Sequence, residues 1–276
     1  MTKHNRILIT GAAGVVATGM RPVLAAAFPE VVLFDRVPAK DPAPNETVIV
    51  GDMADRQSVD DAMRGVTGVV HLAVKHGPGM DFENTLDANY RGFIYLLDAF
   101  VREGGKSFIF ASSNHGWGYH PTNAVVGTDA PPRPDGWYGL NKVWGEALLT
   151  HYADANSFSA YSFRIGNAHA KVGDERRTHM WISHTDLAEI AKRALDSGRI
   201  GHKAIFTTAD CPSPYFDNSG IAELGYATRD KPMDNLADPA IATAKPAPGI
   251  EGEAVGGSFV ANTFKGSVEA WRKSNQ

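Results

Sequence analysis

The residues best able to do chemistry in this sequence are Tyr138 and Lys142, four positions apart, and Ser113, which closes the apolar run SFIFASS upstream. Residues four apart share a helix face, so a helix starting near Trp137 and running to about Ala155 sets the phenol beside the ammonium. A free tyrosine, with a pKa near 10, is a poor base at neutral pH. An ammonium about 4 Å away, at an effective dielectric of ~20, contributes about 4 kcal/mol, an upper figure of roughly three pKa units. The expectation is a phenol that takes a proton, with the Ser113 hydroxyl on the same substrate oxygen, steadying the alkoxide as it forms. Such a pair also occurs as a half-buried tyrosine beside a solvated lysine, so its meaning depends on what surrounds it.

The elements that must position these groups begin with RILITGAAGVVA, Arg6 to Ala17, which reads as strand, tight turn and helix. Gly11 lets the chain turn, Gly14 lets the backbone approach a pyrophosphate, and Ala17 is small enough to pack on the strand. An uncapped helix from Val15 to Phe28 offers its N–H groups and dipole to phosphates, placing Ala13, Val15 and Val16 at the same turn. A glycine-rich turn alone is also an ordinary strand-to-helix connection. The run VVLFD, however, ends in Asp35, where a carboxylate accepts hydrogen bonds from ribose hydroxyls and repels a 2′-phosphate. Arg36 beside it could hold such a phosphate, but the strand-end acid favours NAD.

A third strand, TVIVGD, brings Asp52 and Met53 to an adenine edge, with a plain turn or helix cap at Asp52 equally compatible. A short helix, Ser58 to Met63, follows. The fourth strand, Gly68 to Ala73, sets Leu72, Ala73 and Val74 against the same site, before a loop KHGPGM and an amphipathic run from about Asn84 to Glu103. The fifth strand opens into a Gly- and Pro-rich loop from Asn114 to Gly136, the kind of loop that holds substrate in open sheets. After the Trp137 helix come a sixth strand, FSAYSFRIG, and the aperiodic segment NAHAKVGDERRTHMWIS. A helix from Thr185 to Asp196, starting at Thr185 or His184, then a strand AIFTT and a short helix within PYFDNSGIAELGY complete the regular part. Leu236 to Gly257, rich in Ala, Pro and Gly, is expected to be irregular. The alternation predicts an α/β, Rossmann-type doubly wound parallel sheet. Residues 1–276 form one domain, with a small C-terminal substrate-binding portion drawn mainly from 167–183 and 208–276.

Composition narrows the partners. The 276 residues carry a net charge of −4, with a pI near 6.2, which does not supply the clustered basic field that nucleic acid or an anionic membrane requires. A small ligand is expected. Cys211 is the single cysteine, so neither an intrachain disulfide nor a multi-cysteine zinc site is available, and this usage suits a reducing cytoplasm. The first apolar run is too short for a signal sequence, and no stretch reaches the roughly 18 apolar residues of a membrane helix. His115 with His120 lacks a third ligand, so no metal site is expected.

Taken in order, TGxxGxxA, Asp35, NYRG at Asn89 to Gly92, Ser113 and the Tyr138/Lys142 pair resemble a short-chain dehydrogenase/reductase of the extended type. That resemblance implies a catalytic triad of Ser113, Tyr138 and Lys142, with Asn89 in the proton relay and Tyr138, Lys142 and Asn89 also bordering the cofactor. A narrower likeness lies in FASSNH from Phe110, PRPDGWYGLNKVWGEAL from Pro132, FRIGN from Phe163, the ERR…W pattern from Glu175 and FDNSGIAELGY from Phe216. These resemble the NAD-dependent uronate dehydrogenases over about residues 5–230, and imply oxidation of the ring hemiacetal carbon of a hexuronate to a lactone. The likeness places Ser113, Asn114 and His115 on sugar hydroxyls, with Tyr138 at the reacting hydroxyl and Arg176 on the acid group.

Two positions depart from that pattern: small serines are expected where His76 and Asn167 stand. Both replacements are bulkier. With Lys75, Arg176, Arg177 and His179 near them they suggest a cationic pocket of altered shape, which leaves another anionic sugar, such as a sulfonated one, as an alternative substrate. Sugar epimerase or dehydratase action is a second alternative on the same fold, and a dinucleotide-sensing protein without turnover a third. In this family the helices near 84–103 and 137–155 pack across a two-fold axis. Tyr95, Phe100, Trp144 and Leu148 are expected on their outer faces, implying a homo-oligomer, dimer or higher.

Overall fold

A computed structural model of the chain describes residues 3–77 and 80–275. Pro78 and Gly79, in the loop expected after the fourth strand, lie outside the described residues, as do Met1, Thr2 and Gln276. Seven parallel strands form one sheet. In chain order they are β1 (Arg6–Thr10), β2 (Glu30–Asp35), β3 (Glu46–Val50), β4 (Gly68–His71), β5 (Ser107–Ser113), β6 (Ser159–Ile165) and, after two short strands β7 (Asn167–Ala168) and β8 (Trp181–Ile182), β9 (Gly201–Thr207). The spatial order is β3-β2-β1-β4-β5-β6-β9, with β7 and β8 paired separately. Strand order reverses between β1 and β4, and the crevice beyond their carboxyl ends is where doubly wound sheets take ligands.

Strand alternation sends Ile7 and Ile9 to one face and Leu8 to the other, and each face buries its own core. Helices α1 (Val15–Ala27) and α6 (His184–Asp196) cover the first face, contributing Ala17, Met20 and Leu24 and, from α6, Leu187, Ile190 and Leu195. Gly19 lets them close in, since a Cβ there would lie 2.0 Å from His184 Nδ1. The second face is covered by α2 (Arg56–Met63), α4 (Gly92–Arg102) and α5 (Trp137–Asn156), with α3 (Phe82–Thr85) leading towards α4. Phe93, Phe108 and Phe110 pack together at the centre of this core.

Several elements differ from the sequence expectation. The run expected as one helix from Asn84 to Glu103 breaks into α3, a π-helical stretch Leu86–Arg91, and α4. Helix α6 starts at His184, one of the two starts the sequence offered, capped by the Ser183 side chain accepting from Asp186 N–H at 3.0 Å. The Phe216–Tyr226 region holds a 3-10 turn at Ser219–Leu224, tied to α6 by Tyr226 Oη donating to buried Asp186 at 2.6 Å. The stretch from Leu236 to Gly257 is mostly irregular, as expected, though it contains a 3-10 turn and α7 (Ile250–Glu253) and is followed by α8 (Ser258–Thr263) and α9 (Val268–Lys273). Phe100 is fully buried within the second core, so it is not an outer-face residue. Tyr95, Trp144 and Leu148 pack partly buried against that core.

Candidate active site

A cavity of about 1340 Å³ opens over the carboxyl ends of the central strands. It exceeds the roughly 300–1,000 Å³ of an ordinary small-molecule pocket, as a site for a dinucleotide together with a sugar would. At one end Gly11 takes φ +69°, and a Cβ there would lie 2.7 Å from Ala73 N, so only glycine brings this turn against the end of β4. Helix α1 then starts at Gly14 with no side-chain cap and no acidic residue in its first turn. Gly14, Val15 and Val16 line the cavity there, leaving an open helix N-terminus for phosphates.

Asp35 and Arg36 border the same end. Asp35 accepts from Ala13 N–H at 3.0 Å and Val37 N–H at 3.3 Å, which fixes its carboxylate beside the turn. Ala13 does not line the cavity; its N–H serves to orient Asp35. Asp52 lines the cavity, and one of its oxygens accepts from Ala54 N–H at 2.9 Å, so the turn-capping alternative describes half of this carboxylate. Met53 lies beside it, its carbonyl 2.6 Å from where a Cβ on Gly92 would sit, which accounts for the glycine in NYRG. Leu72, Ala73 and Val74 form the wall beyond β4. The open cradle, the uncapped helix and the strand-end acid fit NAD.

Asn89 borders the cavity from the π-helical stretch, but both ends of its amide are engaged: Oδ1 accepts from Lys75 N–H at 2.7 Å and Nδ2 donates to Lys75 O at 2.9 Å. Its geometry braces the loop after β4, with one further lone pair on Oδ1 and one further N–H on Nδ2 beyond these two bonds.

Ser113, Tyr138 and Lys142 meet in the middle of the cavity. Ser113 Oγ accepts from His115 N–H at 3.2 Å and hydrogen-bonds the Tyr138 hydroxyl, which holds that phenol down against a larger upward push from burial. Burial wins, and the Tyr138 pKa is pushed up to about 12. Lys142 is almost wholly buried, with Nζ 4.9 Å from the Phe110 ring and 5.4 Å from the Tyr138 ring, and burial brings it down to about 7. The expected depression of the phenol by its lysine gives way to this burial. Desolvation of both groups outweighs the attraction that spacing alone suggested. Next to them, Glu146, one turn past Lys142, accepts from Ser112 Oγ at 2.5 Å and pairs with Arg164 at 2.9 Å. Arg164 also donates to Thr128 O at 2.7 Å, so one buried network fixes β5, α5, β6 and the long loop in mutual register.

At the other end stand His76, His115, Asn167 and Arg176. Arg176 donates from Nε and Nη2 to Val255 O, at 2.9 and 2.5 Å, and burial lowers its pKa. The Asn167 amide carries a buried Oδ1 with no partner among the described residues. His76 faces Tyr138 with ring centroids 6.0 Å apart. Asn114 is not in this wall: it is buried, with Nδ2 donating to Met180 Sδ at 2.9 Å. Of the other cations expected there, Lys75 and Arg177 line the cavity, Lys75 Nζ donating to Asn84 O at 2.6 Å and Arg177 pairing with Asp174, whereas His179 lies outside the lining, paired with Glu175 at 2.8 Å and stacked on Tyr215.

Sequence reasoning missed Asp135, whose Oδ2 lies 2.6 Å from His115 Nδ1, and the wall formed by Ser258, Phe259 and Asn262 of α8. The nearness of Asp135 to Tyr138 was its only signal; a six-residue helix offers no periodicity to read.

Residues 7–200 match the NAD dependent epimerase/dehydratase family. The uronate dehydrogenase of Pseudomonas putida is 32% identical over 272 residues, covering 95% of this chain and 98% of that one. The NAD-dependent glucose-6-phosphate dehydrogenase of Haloferax volcanii is 30% identical, covering 84% and 94%. Among solved structures, a mutant uronate dehydrogenase from Agrobacterium tumefaciens complexed with NAD superposes with a TM-score of 0.86 at 31% identity, over 95% of this chain and 99% of that one.

Proposed function

The chain belongs to the NAD dependent epimerase/dehydratase family, and from that premise we propose that it is an NAD-dependent oxidoreductase converting the C1 hemiacetal hydroxyl of an acidic sugar, a hexuronate in the first instance, to a lactone. The observation that carries this reading is the meeting of Ser113, Tyr138 and Lys142 with the Arg176 guanidinium in one cavity. NAD supplies the hydride acceptor. The protein's part is to hold the dinucleotide on the uncapped α1 and Asp35, and to seat the sugar so that Tyr138 Oη takes the C1 hydroxyl proton. Ser113 Oγ bonds the same oxygen, and Lys142, beside the Tyr138 ring, favours the deprotonated phenol whenever it carries its own proton.

Arg176 is the anion reader. Its Nε and Nη2 are anchored on Val255 O, and Nη1 has no partner among the described residues. A planar fork fixed in this way suits a carboxylate or another oxyanion. A second reading, a different anionic sugar such as a sulfonated one, draws on His76 and Asn167, both bulkier than the serines expected there, while the unpartnered Asn167 Oδ1 calls for a donor such as a sugar hydroxyl. The relatives named above act on two different anionic sugars by their names, a uronate and a sugar phosphate. We further propose a cytoplasmic enzyme, in keeping with the lone buried Cys211, and a homodimer joined through α4 and α5.

The test is NADH formation at 340 nm with glucuronate, galacturonate, sulfoquinovose and neutral hexoses. An acidic sugar should win. Arg176→Ala should raise KM for it roughly 10- to 100-fold, the scale of a lost charged hydrogen bond, and leave the matching neutral sugar almost unchanged. Equal kcat/KM for acidic and neutral sugars would overturn the acid specificity.

A further inference from the structure

His115, which the family resemblance already places on a sugar hydroxyl, is held by Asp135, a residue that the reaction outlined above does not use. The Asp135 side chain is fully buried, three residues before Tyr138. Its Oδ2 sits 2.6 Å from His115 Nδ1, and its Oδ1 is buried with no partner among the described residues. Two glycines make room for it: a Cβ on Gly118 or Gly256 would lie 2.0 or 2.3 Å from Oδ2. The backbone adds two ties, Asp135 N–H donating to His115 O at 3.1 Å and Thr263 Oγ1 donating to Asp135 O at 2.8 Å. A half-satisfied buried carboxylate is costly, and groups left this way gather at functional sites.

The imidazole it holds is clamped on its faces as well. Phe259 covers it with centroids 4.0 Å apart, and the Tyr138 ring meets it edge-on at 5.8 Å. A carboxylate can only accept, so Nδ1 carries the proton. In the neutral ring Nε2 is then a bare acceptor, and it has no partner among the described residues while His115 lines the cavity. Beside the reacting phenol, the donors available to meet it are sugar hydroxyls.

We propose that Asp135 is a positioning residue which, by bonding His115 Nδ1, fixes His115 Nε2 as an acceptor for one hydroxyl proton of the bound sugar, so that the enzyme selects a hydroxyl at that carbon over a substituent that cannot donate. The proposal rests on the sugar dehydrogenase reading for its ligand, and on the His115–Asp135 geometry alone for its tautomer. Asp135→Asn reverses the polarity: the amide can donate to Nδ1, which moves the ring proton to Nε2 and turns an acceptor into a donor.

Two measurements decide it. In the whole protein labelled with 15N-histidine, with NAD present and at a pH where the ring is neutral, the His115 resonances, assigned by His115→Gln, should report Nδ1–H in the wild type and Nε2–H in Asp135→Asn. In kinetics with a panel of monodeoxyfluoro analogues of the best substrate, the wild type should discriminate against fluorine at one carbon by roughly 10- to 100-fold in kcat/KM. Asp135→Asn should bring that one ratio near unity, and leave the ratios at other carbons and the NAD Kd unchanged. An Nε2–H ring in the wild type overturns the proposal, and that spectrum suffices if Asp135→Asn does not fold. Uniform loss on every analogue also overturns it, by reducing Asp135 to a structural support. Failure to oxidise any sugar would instead overturn the dehydrogenase reading, since the tautomer is read without substrate.

Discussion

At the residue scale the site works by burying groups that water would otherwise serve. Lys142, brought down to about 7 by burial, is the clearest case. Its ordinary value is near 10.4, so between about pH 7 and pH 10 the unfolded chain binds a proton that the folded chain does not. Stability of the ligand-free protein should therefore rise with pH across that window. Lys142→Met should flatten the slope and raise Tm at neutral pH while removing activity, measured as thermal unfolding against pH. A slope unchanged in the variant would show that the ammonium is solvated in the folded state. Tyr138→Phe is a different probe: it removes the proton acceptor and keeps the ring that borders the cofactor, so kcat should fall at least ~100-fold with the NAD Kd nearly intact. The pair was legible in the sequence, but its electrostatics was not. Spacing shows which groups meet, and only the packing of Phe110 and the cavity wall shows how much water is removed from them.

The same division holds for elements. Strands β1, β2 and β5 were legible because short apolar runs closed by Gly11, Asp35 and Ser113 admit few other readings. The π-helical stretch was not, since a π-helical turn has no residue signature of its own within a run that reads as helix on both sides. That stretch carries Asn89, whose amide holds the Lys75 backbone, while Gly92 just beyond it gives way to the Met53 carbonyl. The two contacts place the loop after β4 and the turn after β3 from one short element. Asn89→Ala should accordingly raise KM for NAD by about 10-fold, the scale of one or two lost hydrogen bonds, with a smaller effect on kcat. A variant with unchanged KM would show that the loop holds its shape without the amide. Asn114 teaches the complementary lesson: a polar residue at a strand mouth looks like a substrate contact, but the 3-10 turn that follows β5 rotates it inward onto Met180.

At the scale of the whole molecule, the sheet and its helices account for both cores, yet one face of α5 is left incompletely covered. Leu140, Trp144, Leu148 and Tyr152 recur every fourth residue along it, so they form one ridge. Leu140 is exposed, and the other three are only partly buried. Across from the ridge, Tyr95 on α4 is also partly covered, and the Arg56 guanidinium rests 5.2 Å from its ring. A stable dimer needs roughly 600–1,000 Å² per partner, more than an isolated side chain provides and within the reach of two antiparallel helices on each side. Because the same helix carries Tyr138 and Lys142, a dimer through this ridge would also stiffen the catalytic face. Light scattering at micromolar concentration should give about twice the 29.7 kDa of one chain. Leu148→Glu puts a charge into the centre of the ridge at a position already part-exposed, so it should return the mass to that of a single chain while Tm falls by a few degrees, as expected of lost association. A wild-type mass of one chain would place the ridge in solvent, and an unchanged oligomer in Leu148→Glu would move the interface to another face.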